Sequence, residues 1–386
     1  MKNILSNGFK TVYNYEPTKF FSCGGRFEIL GNHVDHNHGK CLAGTCSLAI
    51  YASVSKRDDN LVHAYSEGFG SFDVNLDNVK YQENEKGTSS ALIRGIAYYL
   101  KEKNYQVGGL DIYMVSKVPG GAGVSSSAAF ELLIAQIFNA MYNDGKIDRL
   151  LLCKAGQFAE RNYYGKMCGL LDQIGVGFGG STYIDFADID NPVVEPLPIN
   201  LNGYRFLIVD SGGSHAGLDH LYKAIPDGMY AVANMFNQNF LHDVDKNEVL
   251  KNKDKIIEKL GEGPYLKAIH FYEESERVEI ARTAIKKDDI PTLMKLMDES
   301  RVSSTDNLQN MKVNTVEGSP LEACLLIKEV AGDNAGVKIN GGGFAGSVIA
   351  LIKESVYQDV VKAATNKYGK DHVYEIDIRK VGPEEL

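Results

Sequence analysis

A glycine- and serine-rich segment, PGGAGVSSS, occupies residues 119–127 and separates two segments of different character. Residues 110–115 before it alternate apolar and polar side chains, which predicts a half-buried strand. Residues 128–141 after it are almost wholly apolar and end at an Asn-Asp-Gly sequence, which predicts a buried helix with serines at its N-terminus. Glycines let the backbone approach an anion closely, and a helix N-terminus carries partial positive charge. The segment is therefore either a phosphate-binding loop or a flexible turn capped by serine.

This segment matches neither of two common nucleotide-binding patterns. The chain contains no G-x-x-x-x-G-K-[ST] sequence, and the G-x-G-x-x-G pattern is incomplete because Ser126 stands at its last position. A phosphate-binding function thus has to be argued from the loop and the helix behind it, since a rigid buried helix holds an anion better than a loose turn.

The composition excludes several classes of protein. A length of 386 residues predicts about two to three domains, and 41 basic against 50 acidic residues give a net charge of −9. That charge argues against a general binder of nucleic acid or of anionic membranes. No apolar run approaches the ~18 residues of a membrane span, and the N-terminal 20 residues lack the apolar core of a signal peptide. Six scattered cysteines without a C-x-x-C pair predict reduced thiols and a cytoplasmic enzyme.

A second cluster, GRFEILGNHVDHNHG at residues 25–39, concentrates groups that bind metals or hydroxyls. The groups in question are Arg26, His33, Asp35, His36 and His38. Imidazole and carboxylate side chains are typical ligands of transition metals, which is one interpretation. A pocket for a polyol or a sugar and a polar surface loop are the two others.

Three further sites add carboxylates and glycines. Asp172, in Gly-Leu-Leu-Asp-Gln at 169–173, is either a capping group or a catalytic acid or base. Glu160 follows an apolar helical face, and its sequence alone favours an exposed helix glutamate. Residues 340–346, NGGGFAG, predict either a hairpin connection or a close approach to another loop or a ligand. GVGFGG at 175–180 is predicted to be a turn into a strand at 182–186.

The remaining pattern predicts the following elements: strands at 43–54, 206–209, 337–339, 347–352 and 373–378, helices within 241–287 and at 354–368, and a loop at 191–202.

Taken together and in this order, the motifs resemble those of the GHMP kinase superfamily, and within it the galactokinases. Residues 25–39 are similar to the signature G-R-x-N-x-x-G-E-H-x-D-Y-x-x-G, and residues 119–128 to P-x-x-x-G-L-S-S-S-A. Residues 168–173 are similar to C-G-I-M-D-Q, and residues 338–350 to K-x-x-G-G-G-x-G-G-x-x-x-A-L. The resemblance extends from residue 25 to residue 350, which is nearly the whole chain.

The resemblance implies a two-domain α+β fold. Residues 1–200 would form a domain whose fold is similar to domain 2 of ribosomal protein S5. This N-terminal domain would bind the sugar and the ATP phosphates. Residues 201–386 would form a ferredoxin-like sandwich. The implied activity is ATP-dependent phosphorylation of a monosaccharide at its C1 hydroxyl, with galactose as the first candidate. The implied partners are the sugar and ATP, without nucleic acid or membrane, for a monomer or weak oligomer.

The resemblance also implies roles for individual residues. Asp172 would be the catalytic carboxylate, with Arg26 beside it to stabilise charge on the sugar hydroxyl. The implied sugar-binding residues are Asn32, His33, Asp35, Gly169 and Tyr222. The implied ATP-phosphate loop comprises Gly120, Gly121, Ala122, Gly123, Val124, Ser125, Ser126 and Ser127. Ser126 and Glu160 would coordinate Mg²⁺.

The chain departs from the galactokinase pattern at several positions. Asn32 replaces a glutamate, His36 replaces a tyrosine and Glu28 replaces an asparagine. Residues 210–215, which end at His215, differ from the family's N-[ST]-x-V-x-H. The chain has no tryptophan and therefore lacks the family's R-W segment, in place of which residues 89–95 read SSALIRG.

These departures leave two alternatives. One is a kinase for another sugar, such as arabinose or an N-acetylhexosamine. The other is a non-catalytic, galactokinase-like sugar sensor. The presence of Arg26, Ser126, Glu160 and Asp172 argues against the sensor.

Overall fold

A computed structural model describes residues 1–213, 217–311 and 318–386. Within these ranges the strands form an eight-stranded mixed sheet and a four-stranded antiparallel sheet. Helices cover both sheets, which confirms the predicted α+β architecture. In the same ranges, no helix combines the length and the apolar character that crossing a bilayer requires.

The first sheet is organised around one long strand, β2. Its members are β1 (Lys19–Leu30), β2 (Lys40–Lys56), β3 (Leu61–Ser66), β4 (Gly70–Asn75), β5 (Leu110–Ser116), β6 (Ser181–Asp185), β7 (Val193–Pro196) and β12 (Glu384–Glu385). The strand order is β12-β1-β2-β5-β3-β4, with β6 paired to β2 and β7 paired to β6. β3 and β5 run parallel, while the remaining pairs are antiparallel. β2 contains the predicted strand at 43–54 and extends beyond it at both ends.

Helices pack against this sheet and carry the functional loops. They are α1 (Lys2–Tyr13), α2 (Ser89–Glu102), α3 (Ser126–Tyr142), α4 (Arg149–Ala159) and α5 (Leu171–Gly177), with a π-helical turn over Glu160–Tyr164 after α4. α4 begins where the Asp148 carboxylate accepts hydrogen bonds from the first backbone amides of the helix. α3 buries residues on all of its faces, as the apolar run at 128–141 predicts.

The second sheet lies later in the chain. Its strands are β8 (Tyr204–Asp210), β9 (Ala335–Ile339), β10 (Ser347–Lys353) and β11 (Val373–Ile376), in the order β11-β8-β10-β9. α11 (Pro320–Ala331) and α12 (Glu354–Tyr368) pack on it, and the fully buried Tyr357 donates a hydrogen bond to the Phe206 carbonyl at 3.1 Å. The strands predicted near 206, 337, 347 and 373 and the helix predicted at 354–368 are confirmed.

A helical region connects β8 to β9. It contains α6 (Asp219–Met235), α7 (Lys246–Lys251), α8 (Lys253–Leu260), α9 (Glu262–Ile285) and α10 (Ile290–Ser303), followed by a π-helical turn over Ser304–Leu308. The helices predicted within 241–287 are therefore present. α9 also contacts the first sheet, because the Glu274 carboxylate accepts a hydrogen bond from the Gly31 amide at 2.9 Å.

The two sheets meet through aromatic packing. Phe27 on β1 and Phe206 on β8 are both fully buried, and their ring centroids lie 4.9 Å apart. The chain leaves the first sheet after Pro196 and enters the second at Tyr204, while β12 returns to the edge of β1. The division of the chain at residue 200 stays a prediction.

Two local predictions are wrong. Residues 175–177 form the end of α5 rather than a turn. Gly175 lies so close to the sheet that a Cβ there would be 3.1 Å from the Ala43 Cβ and 3.2 Å from the Arg26 Cβ. The missing side chains allow α5 to lie directly on β1 and β2, and this packing outweighs the low helix propensity of glycine. The predicted loop at 191–202 contains β7, whose backbone pairs with β6.

Candidate active site

The glycine-rich loop between β5 and α3 is held in place through its carbonyl groups, which accept hydrogen bonds from neighbouring elements. The Arg26 amide donates to the Val124 carbonyl at 3.0 Å, and the Ser347 hydroxyl donates to the Ala122 carbonyl at 2.7 Å. The Asn340 side-chain amide reaches the Gly123 carbonyl at 3.1 Å. These donors come from β1, from β10 and from the second glycine-rich loop, so both sheets fix the shape of this loop.

The backbone amide groups of the same loop remain available to donate hydrogen bonds to a ligand. Within the described part of the chain, the backbone N–H groups of residues 120–127 have no hydrogen-bond acceptor in the protein. The positive φ angles of Gly121, Gly123 and Ser125, at 85°, 67° and 53°, turn the chain into the N-terminus of α3. Unpaired amides next to a helix N-terminus form an anion-binding site, which favours the phosphate-binding interpretation over the capped turn.

Arg26 and Asp172 form an ion pair at the end of this loop. The Arg26 Nε lies 2.8 Å from the Asp172 Oδ1, and the Arg26 Nη1 lies 2.5 Å from the Gly123 carbonyl oxygen. The Ser125 hydroxyl donates to the Asp172 Oδ2 at 2.6 Å. The structure therefore brings together β1, the first turn of α5 and the glycine-rich loop, as the sequence analysis predicts for Arg26 and Asp172.

The surroundings of Asp172 favour its charged form. Burial acts to raise the pKa of this carboxyl group, but the positive charges of Arg26 and Lys166 and the hydrogen bond from Ser125 outweigh it. The pKa of Asp172 consequently lies below its usual range. Asp172 is an anion at neutral pH and is a weak base.

A second buried carboxylate lies at the head of α3. Glu160 is 1% exposed, and its Oε1 accepts hydrogen bonds from the Ser127 hydroxyl at 2.9 Å and from the Lys166 Nζ at 3.1 Å. Its Oε2 accepts from the Gln173 Nε2 at 3.0 Å, and Gln173 Nε2 also donates to Glu131 at 2.9 Å. The expectation of an exposed helix glutamate, based on Glu160 alone, is therefore wrong, because the π-helical turn directs this side chain inward.

The oxygen atoms around Glu160 fit a divalent cation such as Mg²⁺. A carboxylate and a hydroxyl beside a phosphate-binding loop are the hard ligands that this ion prefers. The hydroxyl that reaches Glu160 belongs to Ser127, one residue after the predicted Ser126. Burial and the charge of Glu160 raise the pKa of Glu131 well above its usual range. A cation at Glu160 would thus have a second carboxyl group, Glu131, nearby, which the charge of Glu160 favours in its protonated form.

The predicted sugar-binding residues divide into two groups, and the first consists of Asp35 and Gly169. The Asp35 Oδ2 packs directly against Gly169, where any side chain would displace it. Burial, then the negative charges of Asp172 and Glu28, raise the pKa of Asp35 to about 6. Asp35 thus lies against Gly169 and within the electrostatic influence of Asp172.

Asn32 belongs to the second group, which faces the NGGGFAG loop. Asn32 is 1% exposed, and its Nδ2 donates to the Gly341 carbonyl at 2.7 Å and to the Glu28 Oε1 at 3.2 Å. Its Oδ1 accepts from the Asn310 Nδ2 at 3.0 Å. The side chain is thus fully engaged within the protein and connects β1 to the second glycine-rich loop.

The two histidines after Asn32 are neutral. The His33 Nε2 lies 2.8 Å from the Gly342 carbonyl, and the His36 Nδ1 lies 3.0 Å from the Asn37 Nδ2. Burial lowers the pKa of His33, and burial together with His33 and His270 lowers the pKa of His36 to about 3. In the described ranges, no group of three or more His, Cys, Asp and Glu side chains is arranged to hold a metal ion.

Tyr222 packs on the second glycine-rich loop. Its hydroxyl donates to the Gly343 carbonyl at 2.5 Å, and its ring meets Phe344 edge to face at a centroid distance of 5.1 Å. α6 thus contacts the NGGGFAG loop through this residue. His215, the last residue of the segment that departs from the galactokinase pattern, lies outside the described residues.

Sequence reasoning did not identify three important contacts. The first is the fully buried ion pair between Glu28 and Lys338, at 2.7 Å. The second is the bond from Ser125 to Asp172, and the third is the ion pair between Lys166 and Glu160. A lysine placed between Glu160 and Asp172 in the sequence was the available signal for the third contact.

Comparison with known families supports the class that the fold and the loop define. Residues 91–180 match the family described as "GHMP kinases N terminal domain", and residues 7–56 match the "Galactokinase galactose-binding signature". The first match contains the glycine-rich loop, Glu160 and Asp172, while the second contains Arg26 and the histidine cluster. Over these residues the chain is similar to the GHMP kinases.

Curated relatives cover nearly the full length of the chain. A galactokinase of Clostridium perfringens is 28% identical over 97% of this chain and 95% of its own length. A galactokinase of Clostridium tetani is 28% identical over 95% of this chain and 92% of its own length. The chain is thus similar to galactokinases along nearly its whole length, at low identity.

Solved structures share the fold. A galactokinase of Lactococcus lactis complexed with galactose superimposes with a TM-score of 0.86 at 24% identity, over 100% of this chain and 99% of that one. The mevalonate kinase of Methanococcus jannaschii gives a TM-score of 0.66 at 18% identity, over 94% of this chain and 98% of its own. These likenesses confirm the predicted two-domain GHMP kinase architecture.

Proposed function

We propose that this protein transfers the terminal phosphate of ATP to the C1 hydroxyl of a monosaccharide, with galactose as the first candidate. The observation that carries the proposal is the Arg26–Asp172 pair at the end of a loop whose amides are unpaired. The galactose-binding signature over residues 7–56 and the galactokinase relatives support the choice of sugar.

In the proposed reaction, the sugar hydroxyl lies against Asp172 and the terminal phosphate lies on the glycine-rich loop. A bond forms between the hydroxyl oxygen and the terminal phosphorus, while the bond from that phosphorus to the ADP oxygen breaks. The hydroxyl proton passes to a carboxylate oxygen of Asp172. A weak base is sufficient because phosphoryl transfer passes through a loose transition state with little charge on the attacking oxygen.

Arg26 has two tasks in this mechanism. Its Nε holds the Asp172 carboxylate in one orientation, and its positive charge stabilises the oxygen that loses a proton. Its Nη1 bond to the Gly123 carbonyl fixes the distance between this ion pair and the loop. The sugar and the phosphate are thereby aligned for in-line transfer.

The charge of the nucleotide is neutralised by the loop amides and the helix N-terminus. Mg²⁺, when bound, supplies further neutralisation of the phosphate oxygens. Glu160 and the hydroxyls at the head of α3, Ser127 and the predicted ligand Ser126, are the residues that would hold it.

Asp35, Gly169, His33, Asn32 and Tyr222 are proposed to shape the sugar pocket. Asp35 would accept hydrogen bonds from sugar hydroxyls, and the neutral His33 and the fully engaged Asn32 would shape the pocket wall. Because Asn32 is uncharged and committed to protein partners, the contact that a glutamate makes in the family pattern has to be replaced here.

The experiment that tests the proposal measures ATP consumption by the purified protein with a panel of galactose, arabinose and N-acetylhexosamines. We expect galactose-dependent formation of ADP and of a sugar 1-phosphate. Turnover of another sugar without turnover of galactose would transfer the assignment to that sugar. Binding of sugar and ATP without any turnover would identify a sensor instead of a kinase.

A further inference from the structure

We propose that Lys166 is a phosphate-binding residue of this site, whose ammonium group rests on Glu160 in the free protein and moves to the terminal phosphate of the bound nucleotide. This inference rests on the proposed function and adds a cation that the resemblance to galactokinases does not assign.

The position of the Lys166 ammonium group is the first argument. It lies 3.1 Å from the Glu160 Oε1, and that oxygen also accepts the Ser127 hydroxyl bond at 2.9 Å. Ser127 is the second residue of α3 and ends the glycine-rich loop. The ammonium group is therefore at the same helix N-terminus where the unpaired loop amides converge.

The freedom of the Lys166 side chain is the second argument. Its backbone is fixed, because the amides of Gly165 and Lys166 both donate to the Glu160 carbonyl at 3.0 Å. Its side chain is 57% exposed, whereas the Glu160 side chain is 1% exposed. A long exposed stem on a fixed backbone can carry the ammonium group to a neighbouring oxygen without any movement of the chain.

The distribution of charge around the site is the third argument. Arg26 is 5% exposed and is held by the Asp172 carboxylate and the Gly123 carbonyl, so its guanidinium group is committed. Lys166 faces Glu160 and, farther away, Asp172. Its ammonium group forms an ion pair with Glu160 from an exposed side chain, so it is the less committed of the two cations.

A mobile cation at this position suits the chemistry. Negative charge spreads over the oxygens of the phosphoryl group during transfer, and a cation that contacts them in the transition state lowers the barrier. The exchange also frees the Glu160 oxygen that the ammonium group covers, and this oxygen is one that would hold Mg²⁺. Lys166 thereby keeps a buried carboxylate paired until the nucleotide arrives.

The test compares Lys166→Met and Lys166→Arg with the unaltered protein by calorimetric titration of ADP and of a non-hydrolysable ATP analogue, both with Mg²⁺. Because hydrogen bonds to charged groups contribute about 1.5–3 kcal/mol, we expect Lys166→Met to weaken binding of the analogue about 10- to 100-fold and to leave ADP binding within about twofold. Lys166→Arg should restore most of the preference for the analogue.

Lys146→Met is the matched control. Lys146 forms an ion pair of 3.0 Å with Asp144, but both side chains are exposed, at 76% and 82%, and follow the C-terminal end of α3. We expect this variant to bind both nucleotides as the unaltered protein does. Circular dichroism and the melting temperature establish that each variant is folded.

Two results would overturn the proposal. Equal weakening of ADP and of the analogue would show that Lys166 only supports the structure of Glu160, and unchanged binding of both would remove it from the site. Both readouts are independent of sugar turnover, so an absence of kinase activity would contradict the proposed function without deciding the role of Lys166.

Discussion

Asp172 keeps its negative charge because Arg26, Lys166 and Ser125 together outweigh the cost of its burial. An anion held by two hydrogen-bond donors, the Arg26 Nε and the Ser125 hydroxyl, is positioned with little freedom. Its task is to orient the sugar hydroxyl and to receive a proton late in the reaction, which is a role of position as much as of basicity.

Replacement of Asp172 by asparagine tests this role. We expect Asp172→Asn to reduce kcat by about 10²- to 10⁴-fold with little change in melting temperature, since the amide keeps the shape but loses the charge and the basic oxygen. Steady-state kinetics measure the loss. Ser125→Ala, which removes one donor to Asp172, should cost much less, and a near-normal kcat for Asp172→Asn would remove this residue from the mechanism.

Asp35 predicts a dependence of activity on pH. Its pKa of about 6 means that its proposed hydrogen-bond acceptor form is lost as the pH falls through 6. We expect kcat/KM for the sugar to fall below about pH 6 and to be level above it, with nucleotide binding less affected. Asp35→Asn should lower kcat/KM and abolish this step, and an unchanged step in that variant would assign it to another group.

The raised pKa of the Asp35 carboxyl group also predicts how the free energy of unfolding changes with pH. The pKa of Asp35 is raised from 3.8 in an unfolded chain to about 6 in the folded protein. The unfolded state therefore loses its proton first, and the contribution of Asp35 to the free energy of unfolding falls as the pH rises from about 4 to 6. Urea unfolding of the unaltered protein and of Asp35→Asn should show this loss only in the former.

At the level of elements, the glycine-rich loop depends on its fit against β10 and the NGGGFAG loop. Gly123 has a φ of 67°, and a Cβ there would clash with the Ser347 hydroxyl and lie 3.0 Å from the Asn340 carbonyl oxygen. Contacts from the second sheet hold the carbonyl groups of the loop on one side. The amide groups face the other side as long as these contacts are present.

Gly123→Ala should therefore disturb both nucleotide binding and stability. We expect a loss of about 1–3 kcal/mol in the free energy of unfolding and a clear rise in the KM for ATP. Gly120→Ala is the comparison for stability, because the space around a Cβ at that position is empty. Equal melting temperatures for the two variants would contradict this account of the loop.

Elements whose signal is local could be predicted from the sequence. Residues 110–142 show alternation, then glycines, then an apolar run, and each of these patterns depends on neighbouring residues alone. α5 was missed because its two glycines have a low helix propensity and are placed in a helix by packing, Gly175 against β1 and β2 and Gly177 against Cys153 of α4. β7 was missed because its pairing with β6 compensates for a loop-like composition.

The candidate site was predicted only where a motif marks it. Arg26 and Asp172 were identified through motifs, whereas the bond between Glu160 and Lys166 depends on a π-helical turn that composition does not reveal. Glu28 and Lys338 are 310 positions apart in the chain, and no local pattern relates them. Contacts of this kind are set by the meeting of the two sheets.

At the level of the whole molecule, the buried pair of Glu28 and Lys338 joins β1 to β9. The Lys338 side chain is fully buried, and its Nζ also donates to the Ile339 carbonyl at 2.6 Å. The Asn340 Oδ1 accepts from the Glu28 amide at 3.0 Å, so the start of the NGGGFAG loop is fixed to the same strand. The strand that carries Arg26 is thus tied to the second sheet two residues farther on.

Lys338→Met should destabilise the protein strongly, because it leaves a buried carboxylate without its cation. We expect a loss of about 3–5 kcal/mol in the free energy of unfolding, measured with urea. The double variant Glu28→Gln with Lys338→Met should recover much of this loss, since neither buried group is then charged. A double variant no more stable than Lys338→Met would show that the charge of Glu28 is not the cause.

The pairing of β1 with β12 has a consequence for how the protein acquires its structure. Phe21 and Ser22 pair with Glu385 and Glu384, and the ion pair between Lys19 and Glu385 joins residues 366 positions apart. Closing so long a loop is slow, and contacts of high sequence separation form late. We therefore expect that, during refolding, the outer edge of the strand that holds Arg26 is among the last parts to become ordered, after the helices have formed.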